Sequence, residues 1–118
     1  MSMLIPPRFR PLCRVDAIPD GGAKGFPGGP GYTPGLIAVR QGEQVLVYEN
    51  ACPHIGTPLD WVQGQFFSTD GRYLICATHG AAFEPATGEC VAGPCRGDFL
   101  TAVPSEIRDG LVLIDRPA

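Results

Sequence analysis

Apolar residues come in short bursts separated by Gly, Pro, Asp and Asn. The clearest burst is Leu36-Ile37-Ala38-Val39-Arg40, turned at Gln41-Gly42-Glu43 and returned as Gln44-Val45-Leu46-Val47-Tyr48-Glu49. Two β-rich runs around a short Gly-containing turn predict a hairpin. Upstream, residues 1–9 read as a loose arm in which Pro6-Pro7 forbids a helix. Arg10 to Val15 alternates weakly and is expected to open the first strand, with a turn at Ile18-Pro19-Asp20-Gly21-Gly22. Gly25 to Gly35 is a Gly/Pro-rich loop without periodicity, open to reading as a flexible excursion or an ordered surface loop.

Downstream, Leu59-Asp60-Trp61 suits one short helical turn and Gln65 to Ser68 a short strand. Asp70-Gly71 is a hairpin signal inside the turn Thr69 to Arg72, and Arg72 to Cys76 is the returning strand. Ala81 to Glu84 reads as a strand, turned by Pro85-Ala86-Thr87-Gly88 into Glu89-Cys90-Val91. Ala92 to Gly97 is a rigid loop, Phe99 to Val103 a strand, and Asp109-Gly110 turns the chain into Leu111 to Ile114 as a closing hairpin. No stretch has the spacing of an amphipathic helix. The expected fold class is all-β, built from many short antiparallel strands.

Composition narrows this further. At 118 residues the chain is expected to form one domain, 1–118, able to bury a core without disulfides. Gly (16) and Pro (13) are abundant, as a turn-rich β fold requires. A net charge of −3 argues against nucleic acid and against an anionic membrane surface as partners. Met1 to Arg8 has no apolar signal core, and no run approaches the length of a membrane span. The five cysteines, an odd number, suit a reducing compartment, so the expected location is cytoplasmic.

The chemistry concentrates at two places. Both histidines of the chain follow a cysteine closely: Cys52-Pro53-His54 and Cys76-Ala77-Thr78-His79, with 21 residues between the two knuckles. Each knuckle follows a predicted strand, so Cys52, His54, Cys76 and His79 are the candidate metal ligands. Two cysteines and two histidines suit zinc or an iron–sulfur cluster. Zinc fingers usually pair like with like, whereas here each knuckle is mixed. Mixed knuckles allow Cys52 and Cys76 to hold one iron of a two-iron cluster and His54 and His79 the other.

With Gly56 after the first pair and Gly80 after the second, these motifs resemble the Rieske [2Fe–2S] signature. Asp16 to Pro19, Leu59, Phe83, Thr87-Gly88 and Gly93-Pro94 extend the resemblance to a small Rieske ferredoxin over roughly residues 10 to 115. The resemblance implies three small antiparallel sheets, with the cluster-binding loops at one tip within about residues 50–97. A third loop, at Gly93-Pro94, would cover the cluster. It further implies a one-electron carrier, taking electrons from a flavoprotein reductase and passing them to a terminal oxygenase or another reductase. In the family the histidine-ligated iron is the exposed one, which would make His54 and His79 the electron port.

Two other readings remain open: a small subunit of a larger, nitrite-reductase-like complex, and a structural zinc module. Departures from the respiratory members point to a low potential. The loop disulfide is missing, and Ala81 stands where those members carry a hydroxyl. Cys90 and Cys95, flanking the third loop, read better as small apolar residues than as a redox pair in a reducing compartment. Cys13 reads as strand filler and Trp61 as core packing. Arg72 and Arg96 are candidate partner contacts.

Overall fold

Four successive buried residues, Leu36 to Val39, open the central strand, and their alternation decides the architecture. Ile37 and Val39 belong to one buried cluster, Leu36 and Ala38 to another. A strand covered on both faces reads as a continuous apolar run rather than as an alternating one. The computed structural model describes residues 9–28, 34–53, 59, 66–68, 71–76 and 80–115. Among these, the strands are β1 (Phe9–Arg14), β2 (Ala23–Phe26), β3 (Leu36–Gln41), β4 (Gln44–Glu49), β5 (Leu74–Cys76), β6 (Ala81–Phe83), β7 (Cys90–Ala92), β8 (Ala102–Val103), β9 (Ser105–Arg108) and β10 (Leu111–Asp115).

They form three antiparallel sheets, ordered β1-β10-β9, β2-β3-β4-β8 and β5-β6-β7. The four-stranded sheet is the middle layer. One face meets Ile18, Val112 and Ile114 from the β1-β10-β9 side, through Leu36, Ala38, Val45 and Val47. The other presents Ile37, Val39 and Tyr48 to Leu74, Phe83 and the cysteines of the β5-β6-β7 side. The all-β expectation and its three sheets hold.

The predicted hairpin is β3–β4, in register from Leu36↔Glu49 to Gln41↔Gln44. Gly42 turns it at φ +65°, and its amide donates to Asp20 Oδ1 at 2.9 Å. Other expectations need correction. The Gly/Pro-rich loop starts later than expected, because Gly25 and Phe26 belong to β2, paired with Ile37 and Leu36. Val15 leaves the first strand for a single 3-10 turn, Val15–Ala17. Phe99 to Val103 is not one strand: Phe99 makes an isolated bridge to Glu89, and only Ala102–Val103 pairs with β4. Gln65 to Ser68 reduces to a bridge between Phe67 and Leu74, and Arg72 to Cys76 to the three residues of β5.

The closing hairpin is β9–β10, turned by Asp109 (φ 52°) and Gly110 (φ 78°), with β10 also pairing β1. The arm at residues 1–8, most of the Leu59-Asp60-Trp61 turn, and Thr69 and Asp70 lie outside the described residues.

Candidate metal centre

Cys52 follows β4 by three residues, and Cys76 is the last residue of β5. Their relative exposures are 1% and 0%, and both belong to the same buried cluster as Leu59, Phe66, Leu74, Ala81 and Phe83. The structure therefore places the two cysteines singled out in the sequence in one buried cluster. His54 and His79 lie outside the described residues.

Backbone bonds frame each knuckle. At the first, Asn50 N–H donates to Gly35 O at 2.8 Å, and Asn50 Oδ1 accepts from Leu59 N–H at 2.8 Å. One side chain thus ties the start of the Cys52 loop to the fully buried Leu59 nine residues on. At the second, Gly80 N–H donates to Cys76 O at 2.8 Å, with Gly80 at φ +70°. That conformation suits glycine, which carries no Cβ to clash.

The third loop is seated on the second knuckle. Gly93 has φ +98°, and a Cβ there would lie 2.7 Å from Ala81 Cα. Only glycine allows so close a backbone approach. Cys90 and Cys95 flank this loop and are buried, as small apolar residues would be. Their sulfurs nevertheless meet: Cys95 Sγ donates to Cys90 Sγ at 3.1 Å, and Cys90 Sγ donates to Ala92 O at 3.1 Å. Burial, with the Cys90 contact and the nearby Cys52 thiol adding to it, pushes the Cys95 thiol up to about 12.

Tyr48 braces the same region from the middle sheet, its hydroxyl donating to Pro85 O at 2.8 Å. The sequence does not single out Asn50; it offers Cys90 and Cys95 as a pair, read as small apolar residues, and Gly93-Pro94 only as a covering loop. The one sequence signal for Asn50 is its place two residues before Cys52.

The other residues named above are dispersed. Cys13 is half-buried in β1, where burial raises its thiol despite Lys24 nearby. The Arg72 guanidinium lies 5.7 Å from the Tyr73 ring centroid, and Arg96 is exposed. Trp61 is outside the described residues.

Two buried cysteines in one apolar cluster suit a softer metal that binds thiolate and excludes water. The chain belongs to the Rieske [2Fe-2S] domain family, whose profile matches residues 9–105. Membership implies one [2Fe–2S] cluster. It sets aside the structural zinc module.

The chain is 25% identical over 103 residues to the 3-phenylpropionate/cinnamic acid dioxygenase ferredoxin subunit of Photorhabdus laumondii, covering 87% of this chain and 90% of that one. It is 30% identical to the solved Sphingomonas yanoikuyae B1 ferredoxin, with a TM-score of 0.67 over 92% of this chain and 98% of that one. The ferredoxin of carbazole 1,9a-dioxygenase from Nocardioides aromaticivorans IC177 shares the fold, at 22% identity and a TM-score of 0.70 over 92% and 98% of the two chains.

Proposed function

We propose that this protein is a one-electron carrier in which Cys52 and Cys76 bind one iron of the cluster and His54 and His79 the other. The cluster supplies a single electron acceptor and donor when bound. The carrying observation is the burial of Cys52 and Cys76 in one apolar cluster, Cys52 three residues beyond β4 and Cys76 at the end of β5. Apolar walls hold the thiolates away from water. His54 and His79 form the electron port.

The acceptor is a terminal oxygenase, a reading supported by relatives that are ferredoxins of dioxygenases, and the donor is a flavoprotein reductase. The protein works in the cytoplasm as one domain spanning 1–118. The test is elemental analysis followed by turnover. Freshly isolated protein should contain iron and acid-labile sulfide in equal amounts and give a rhombic EPR signal on reduction. His54→Ala and His79→Ala should each lose that signal. It should then carry electrons from a reductase to an oxygenase that does not turn over without it. Protein with neither iron nor sulfide would end this reading.

A further inference from the structure

Cys90 and Cys95 lie outside the proposed ligand set, yet their sulfurs are in direct contact. Their sulfurs are 3.1 Å apart, and a disulfide needs about 2.05 Å, roughly 1 Å of further approach. The backbone around them is already closed. Gly97 N–H donates to Cys90 O at 3.0 Å, Asp98 N–H to Cys95 O at 2.8 Å, and Cys90 N–H to Asp98 O at 2.7 Å. A hydrogen-bonded turn therefore holds the two sulfurs together, and bonding them asks little of the chain. A metal is the poorer occupant, since two thiols fall short of the four ligands of a closed site.

We propose that Cys90 and Cys95 are a reversible dithiol–disulfide couple, oxidised by low-molecular-weight disulfides, that locks the third loop beside Cys52. One cysteine attacks the small disulfide, forming a mixed disulfide and releasing one small thiol. The other displaces the second small thiol. One disulfide is reduced for each one formed, and both cysteine protons leave on the released thiols. Because both sulfurs are buried, exchange waits for the 93–97 turn to open and is slow.

Cys95 and Cys52 also belong to one buried cluster. If Cys52 is a cluster ligand, as proposed above, closure replaces two polar S–H groups in its buried cluster with an apolar disulfide. The reduced cluster loses stabilisation and its midpoint falls. This last step alone rests on the carrier reading.

The test takes the protein as purified and equilibrates it in glutathione buffers graded from reduced to oxidised. Samples are quenched in acid, unfolded, alkylated and mapped by mass spectrometry. The expected result is the loss of two of the five alkylatable thiols, with fragmentation placing the link between Cys90 and Cys95. Cys90→Ser and Cys95→Ser should each lose the link. Full alkylation in the oxidised buffer, or a link through Cys52, Cys76 or Cys13, overturns the proposal. The thiol readout needs no iron: a 90–95 link in iron-free protein keeps the couple and discards the carrier. In cluster-bearing protein, direct electrochemistry should show a lower midpoint after oxidation in the native chain and no shift in Cys90→Ser. An unmoved native midpoint overturns the coupling to Cys52.

Discussion

A single methyl group at position 93 tests how the third loop is seated. It would stand 2.7 Å from Ala81 Cα on a backbone at φ +98°, so both the contact and the conformation oppose it. Gly93→Ala should cost about 1–3 kcal/mol, lowering the unfolding temperature by several degrees. Iron should also leave the variant faster, because the loop no longer sits against the second knuckle. An unchanged melting curve would refute the close approach.

Tyr48 offers a second residue-scale test. Its buried hydroxyl serves Pro85 O, so Tyr48→Phe should lose roughly 1–2 kcal/mol by denaturant titration. Burial, and then the Glu84 carboxylate, raise the Tyr48 phenol above its ordinary value of 10.0. The folded state therefore keeps a proton that the unfolded chain releases. That stabilisation is complete below pH 10 and is lost as pH rises through the higher folded value. Alkaline destabilisation above pH 10 should be weaker in Tyr48→Phe.

At the scale of elements, Asn50 links the β4 end to the far side of the first knuckle through Leu59 N–H. Asn50→Ala leaves that buried amide without its acceptor, which should cost about 1–3 kcal/mol. Chelators should strip iron from the variant faster than from the parent, and an equal rate would show that the tie is idle. This tie could not be read in advance, because it joins a strand end to a residue nine positions on, beyond any local turn rule. The β3–β4 hairpin could be read, since its apolar runs and Gly42 turn agree.

Strand β2 could not. Ala23-Lys24-Gly25-Phe26 has no strand pattern of its own and exists through pairing with β3. Strand β8 is cut short before Pro104, and β9, rich in polar residues, is held by β10. Cys52 and Cys76 stood out as candidate ligands because Cys and His at such spacing are a metal-site signal. The meeting of Cys90 with Cys95 was not legible, because it depends on a turn that places Gly93 and Gly97 at positive φ.

For the molecule as a whole, the middle sheet divides two cores; Cys52, Cys76, Cys90 and Cys95 belong to one of them, and Cys13 packs against the other. The Cys52 and Cys76 end is therefore set by β5-β6-β7 with its loops and by the end of β4, while β1-β10-β9 stabilises the far side. That division makes the potential a property of few residues. Ala81 is fully buried, directly follows Gly80, and brings no hydroxyl to the cluster region. With fewer donors to sulfur, the reduced state is poorly stabilised, and the midpoint should lie low in the Rieske range, about −150 mV. Ala81→Ser supplies the missing hydroxyl. One added hydrogen bond of about 1 kcal/mol corresponds to roughly 40 mV for a one-electron couple, so the midpoint should rise by that order. A strongly positive midpoint in the native chain would contradict the low-potential reading. An unmoved midpoint in Ala81→Ser, with the EPR signal intact, would show that this position does not face the cluster.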